Sequence, residues 1–309
     1  AGVFSVMFGI FFSLGMSCMA LGRFWIDLQT NVAAVRRVFF FIDFDTEDLN
    51  REERPDSGVS DSVQLENLGF QYADGRWALR NINLDLKVGE LVAVVGPTGA
   101  GKTTLAYMLP GFLKPTEGCV RFDGKDIARM NTDWLRDQVS YVFQEHMLFS
   151  DSIRENLLLA NPRASEVQMI EALQTAGAWE FIQELQEGLD TILGKAGDTL
   201  SVGQQQRLCI ARGLVRDTRI LILDEPTAAL DPHTEIALVS ALKKAAEGRL
   251  VLVIAHRLST IRQAGKILFL QDGELLEQGS HEMLMSDEHG HYRQFVDLQA
   301  NPDYQKAPG

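Results

Sequence analysis

Cysteine is scarce in this chain: three occur in 309 residues, Cys18, Cys119 and Cys209, far apart and each among apolar neighbours. No paired spacing of the kind that holds zinc or closes a disulfide framework is present, so the three read as buried, inert thiols. Basic residues are also short, with 29 Lys and Arg against 42 Asp and Glu and a net charge of -13. That balance excludes a broad nucleic-acid surface. It does not exclude a polyanionic ligand, because backbone amides and one lysine can make a local positive site in an acidic domain. His146, His233, His281, His289 and His291 lack ligand spacing on a defined helix and read as surface or packing residues. There is no internal repeat, and the N-terminus has neither the basic start nor the small-residue cleavage site of a signal peptide.

What the chain does have begins at that end. VFSVMFGIFFSLGMSCMALGRFWI carries no charge before Arg23, a run long enough to cross roughly 30 Å of hydrocarbon as a helix. Its Gly, Ser and Ala content favours packing against other helices over a bare anchor. Helical character continues to Phe44, and Arg36 and Arg37 fit the cytoplasmic side. A chain that opens at Ala1 directly into such a helix reads as the remainder of something longer. The segment LNREERPDSGVSD, residues 49–61, is polar, charged and broken by Pro55 and Gly58, which predicts a linker.

A second domain is predicted over 62–300, with a tail at 301–309. VQLENLGFQY and ALRNINLDLKVGE read as strands, followed by apolar strands at LVAVV (91–95), VSYVF (139–143), ILILD (220–224), LVLVI (250–254) and KILFL (266–270). Helical patterns separate most of them, so the expected core is a largely parallel sheet with helices on its faces. A mainly helical subdomain is expected over about 152–215.

Between strand 91–95 and the next helix lies Gly96-Pro97-Thr98-Gly99-Ala100-Gly101-Lys102-Thr103-Thr104, a phosphate-loop pattern in the context it requires. Glycines let the chain curl so that successive N–H groups face phosphate oxygens, and the helix N-terminus adds positive potential. Lys102 is expected to reach the β- and γ-phosphates of ATP, and the Thr103 hydroxyl to coordinate Mg²⁺. The strand ending in Asp224-Glu225 supplies the partner: Asp224 for Mg²⁺ or its water shell, and Glu225 as general base for an attacking water.

Together with Leu200-Ser201-Val202-Gly203-Gln204-Gln205-Gln206-Arg207 shortly before that strand, a stretch similar to the family's signature sequence, these residues resemble the ATP-binding cassette (ABC) superfamily, and IAHRLST (254–260), SIREN (152–156) and the tail from DGELLEQGSHEML to Gln299 resemble its exporter branch. The resemblance covers roughly residues 1–300 and implies an α/β phosphate-loop ATPase domain: a mainly parallel core sheet, an antiparallel β region and an inserted helical subdomain, preceded by a transmembrane helix matching the last of six. It implies a second ABC subunit, identical or different, whose Ser201, Gly203 and Gln204 close over the γ-phosphate held by the first. It further implies that Tyr72 stacks on adenine, that Gln144 contacts Mg²⁺ or the water, that Asp231 lies in a loop crossing the dimer interface, and that His256 contacts the γ-phosphate. The implied setting is a lipid membrane with the ATPase domain on its cytoplasmic face, and the implied function is export of a substrate whose nature is left open. Two alternatives stay open: a non-transport ATPase with the same cassette, and a binding module with weak turnover. Two positions depart from the pattern. Val202 stands where the family usually has glycine and is expected to crowd the approach to phosphate. Lys195 stands where exporters usually carry glutamate.

Overall fold

Along each central strand the side chains alternate between two separate apolar cores. Leu91, Ala93 and Val95 belong to one, Val92 and Val94 to the other; Leu221 and Leu223 likewise oppose Ile220 and Ile222. Strands buried on both faces read as continuous apolar runs, which is why these segments stand out in the sequence.

In the computed structural model, which describes residues 2–43, 53–194, 197–227 and 229–300, the chain divides into two units, Ala1–Leu49 and Asn50–Gly309. The first contains α1 (Gly2–Ile42), 41 residues long, with a mean hydropathy of 1.9 over its most apolar 18-residue window. Its length and composition suffice to cross a membrane. Two hydroxyls inside it are satisfied locally, as Ser17 Oγ and Thr30 Oγ1 each donate to the carbonyl four residues earlier at 3.0 Å.

The second unit opens with β1 (Ser62–Gln71), β2 (Trp77–Lys87) and β3 (Leu91–Val95), then α2 (Lys102–Met108), β4 (Glu117–Phe122), β5 (Lys125–Asp126), α3 (Thr132–Gln138) and β6 (Val139–Val142). Four helices follow: α4 (Ile153–Leu158), α5 (Glu166–Thr175), α6 (Trp179–Gln183) and α7 (Val202–Val215). β7 (Ile220–Asp224), α8 (Pro232–Ala245), β8 (Leu250–Ile254), α9 (Leu258–Gln263), β9 (Lys266–Gln271), β10 (Glu274–Gly279), α10 (His281–Ser286) and α11 (His291–Ala300) complete it. The strands form a six-stranded sheet in the order β10-β9-β3-β8-β7-β6, parallel except for β10, and a four-stranded antiparallel sheet in the order β2-β1-β4-β5. The antiparallel sheet and α2 pack on one face of the parallel sheet, and α4, α5, α7 and α8 on the other. The α/β fold class expected from the sequence is the one observed.

Three strands, β4, β5 and β10, were absent from the sequence reading. Two of them are reached through Asp-Gly hairpins in which both turn residues have positive φ: Asp123 (48°) with Gly124 (76°), and Asp272 (51°) with Gly273 (82°). Asp-Gly favours this mirror-image turn, so a signal for both hairpins was present. The thiols also differ from expectation. Cys209 is buried, but Cys119 on β4 is half-buried and Cys18 on α1, none of whose residues is buried, is exposed. Lys195, part of the linker (49–52) and the 301–309 tail lie outside the described residues.

Candidate active site

The phosphate loop is held against the backbone of neighbouring strands. A Cβ on Gly96 (φ 149°) would lie 2.0 Å from the carbonyl oxygen of Leu270, and one on Gly101 (φ 97°) 2.4 Å from that of Ala78, so neither position admits a side chain. Ala100 N–H donates to Pro97 O at 3.2 Å, closing the turn. α2 then starts at Gly101 with no side chain capping its first N–H groups, which leaves them for an anion. Lys102, 6% exposed, folds back so that Nζ donates to the carbonyls of Gly96 and Pro97, both at 2.9 Å. Burial lowers its pKa, opposed by the charges of Glu225 and Asp224.

At the end of β7 the two carboxylates have different surroundings. Asp224 is buried, and its Oδ2 accepts from Thr103 Oγ1 at 3.1 Å and Tyr141 OH at 3.2 Å. Burial raises its pKa, while both hydroxyl donors and Lys102 act in the other direction. Glu225, one residue on, has φ 50°. Its Oε2 accepts from Gln144 Nε2 and its Oε1 from His256 Nε2, both at 2.9 Å. Burial, aided by the Lys102 charge, lowers the His256 pKa, so the imidazole is neutral and donates through Nε2–H.

Lys102, Thr103, Gln144, Glu225 and His256 line an open cleft of about 510 Å³ that also includes Tyr72, Arg76, Trp77, Thr98, Gly99 and Thr104. Tyr72 OH is 3.0 Å from Thr104 Oγ1, and the Arg76 guanidinium sits 5.4 Å from the Tyr72 ring centre. Gly96, Pro97 and Ala100 shape the loop without lining the cleft. A larger cavity of about 750 Å³ among α5, α7 and α8 contains none of the phosphate-loop or carboxylate residues. The hard oxygens of Thr103 and Asp224 suit Mg²⁺. Among the described residues no cluster of three or more His, Cys, Asp and Glu could hold a metal ion unaided, so such an ion needs phosphate oxygens and water to complete its shell.

Ser201, Gly203, Gln204 and Asp231 do not line the cleft. Ser201 caps α7 in a reciprocal box: Gln204 N–H donates to Ser201 Oγ at 3.3 Å, and Ser201 N–H to Gln204 Oε1 at 2.9 Å. Val202, the first residue of α7, is 58% exposed, with its side chain turned to solvent. A Cβ on Gly203 would come within 3.1 Å of Ala229 O, so α7 approaches the chain after β7 closely. Asp231 caps α8, accepting from the N–H groups of His233 (3.1 Å) and Thr234 (3.0 Å).

Residues 79–228 match the family model described as ABC transporter. The chain belongs to the ABC transporter family. It is 41% identical to the leukotoxin export ATP-binding protein LtxB of Aggregatibacter actinomycetemcomitans, over 91% of this chain and 40% of that protein. It is 42% identical to the ATP-dependent lipid A-core flippase of Syntrophus aciditrophicus (strain SB), over 89% of this chain and 46% of that one. A bacterial Atm1-family ABC exporter with ATP bound superposes with a TM-score of 0.79 at 36% identity, covering 88% of this chain and 48% of that one. The chain thus spans less than half the length of these relatives. Its second unit is an ABC ATPase domain, and an apolar helix precedes it.

In this ABC domain the structure gathers Tyr72, Lys102, Thr103, Thr104, Gln144, Glu225 and His256 around one cleft, with Asp224 joined to it through Thr103. Three participants escaped the sequence reading. Arg76 covers the Tyr72 ring, Tyr141 donates to Asp224, and Gln206 reaches the Glu225 backbone. Tyr141 lies on β6 and its partner Asp224 is 83 residues away, so nothing local in the sequence marked it as part of the site.

Proposed function

We propose that the domain hydrolyses MgATP between two ABC subunits and that the cycle drives export of a substrate across a membrane. The observation that carries this reading is the placement of the Glu225 carboxylate between Gln144 and the neutral His256, at the edge of the cleft that holds Lys102. The loop amides and the N-terminus of α2 bind the phosphates, and Lys102 offsets their charge. Thr103 and Asp224 hold Mg²⁺, which supplies further charge neutralisation on the phosphates. Glu225 orients the attacking water and accepts its proton, while His256 and Gln144 keep the carboxylate aimed. Tyr72 and Arg76 offer a flat cationic platform for a purine.

Ser201, Gly203 and Gln204 stand outside their own chain's cleft, so this reading gives them to the site of a partner subunit, with Asp231 in the adjoining contact. The apolar α1, long enough to cross a membrane, supports a membrane setting for this reading. Cargo does not follow from similarity: relatives named for a toxin and for a lipid are 41% and 42% identical to the chain. The test is steady-state MgATP hydrolysis over a range of protein concentrations, beside Glu225→Gln. Turnover that rises faster than linearly with concentration and collapses in the variant supports the reading, and linear turnover unaffected by the substitution overturns it.

A further inference from the structure

Three successive glutamines open α7, and because a helix turns by about 100° per residue their side chains leave in different directions. Gln204 closes the cap on Ser201. Gln205 Nε2 donates to the carbonyls of Gly197 (2.9 Å) and Leu200 (3.0 Å), holding the loop in front of the helix. Gln206 is 2% exposed and points inward. Its Nε2 donates to Glu225 O at 3.1 Å, and its Oε1 accepts from Ala229 N–H at 3.2 Å. Both halves of this buried amide are used, and both bonds go to the backbone that follows β7.

The residue it holds is conformationally demanding. Glu225 sits at φ 50°, in the left-handed region that a side chain disfavours and that persists only where the surroundings impose it. Its N–H is anchored to Ile254 O at 3.1 Å. Its carbonyl is anchored by Gln206. The side-chain direction of Glu225 depends on this backbone setting, so a shift of either anchor re-aims the carboxylate that Gln144 and His256 contact.

We propose that Gln206 is a positioning residue that fixes the Glu225 backbone and ties it to α7, so that displacement of the N-terminal end of α7 reaches the hydrolytic carboxylate directly. This rests on the reading of Glu225 as the base. Gln206 is buried away from the cleft lining, and the tie therefore governs turnover and leaves nucleotide affinity alone.

The test uses the full chain. Gln206→Met keeps the side-chain length without either hydrogen bond, and Gln206→Glu keeps the acceptor for Ala229 while replacing the amide donor to Glu225. Both are compared with Glu225→Gln and with the Gln206→Met/Glu225→Gln pair. The expected result is a fall in kcat of about 10- to 100-fold in both Gln206 variants, the size of effect that misplacing a catalytic group produces, with KM and MgATP binding within about threefold. The pair is expected to be no slower than Glu225→Gln alone, since the two act through one group. Amide hydrogen exchange gives a readout independent of turnover: in Gln206→Met it is expected to accelerate over 225–230 and stay unchanged over 96–104. Wild-type kcat in Gln206→Met, a further loss in the pair, or unchanged exchange over 225–230 overturns the proposal. Wild-type turnover by Glu225→Gln overturns the base assignment instead, and the exchange result alone then decides on the tie.

Discussion

Two of the segments in which a loop of the ABC domain runs into a helix, those opening α2 and α7, are finished in opposite ways. At α2 the loop supplies glycine and no capping side chain, so the first N–H groups stay available. At α7 Ser201 and Gln204 cap the helix reciprocally, using N–H groups that α2 leaves open. The first end is built to enclose an anion from several sides within one chain. The second is a rigid, self-satisfied end beside an exposed Val202, suited to being presented to another molecule. Under the proposed function the difference separates two tasks, holding the nucleotide and completing a partner's site, and each is expected to be broken without the other.

The largest expected effect comes from damaging the open end. Gly101→Ala places a methyl 2.4 Å from Ala78 O at a positive φ, and nucleotide binding measured by equilibrium titration is expected to fall by about 100-fold or more. Glu225→Gln is expected to lower kcat by about 10³-fold while binding persists, because a general base contributes roughly 10²- to 10⁴-fold. Such a variant separates holding from turnover. At the capped end, Ser201→Ala removes one reciprocal bond; α7 is expected to lose about 1 kcal/mol of stability by denaturant titration, with binding to the isolated chain unchanged. If binding falls as well, the separation between the two ends is wrong.

A pH series sharpens the comparison further. Because the folded chain lowers the His256 pKa from its ordinary 6.5, the unfolded chain takes up that proton first as pH falls. The His256 contribution to stability is therefore full above about 6.5 and is lost as pH falls through its folded value, a dependence that thermal melts should lose in His256→Asn. The smallest effect is assigned to Val202→Gly. If the exposed valine crowds a partner's phosphate, turnover is expected to rise about two- to fivefold with no change in monomer binding, a gain worth roughly 1 kcal/mol or less. An unchanged rate places Val202 outside the closed interface.

Much of this molecule was legible before any coordinates. The parallel strands announce themselves because burial on both faces demands unbroken apolar runs, as in ILILD and LVLVI. The phosphate loop is legible because its chemistry is local: glycines, a lysine and a threonine act within one turn of chain, and Asp224-Glu225 is a neighbouring pair. The apolar span of α1 is a matter of composition alone. β4, β5 and β10 were harder to read, since these short, partly exposed strands lack long apolar runs, though Asp123-Gly124 and Asp272-Gly273 carried a turn signal. Tyr141 and Gln206 became visible only in the folded chain. Their partners, Asp224 and Glu225, lie 83 and 19 residues away, so no local periodicity could join them. The sequence by itself determined the apolar strands, the long apolar helix and the glycine-lysine-threonine pattern of the loop, because those depend on burial and on near neighbours. The tertiary structure alone decided how Glu225 is aimed, because that depends on hydrogen bonds from the loop after β6, from α7 and from the loop after β8, which meet only when the parallel sheet has formed.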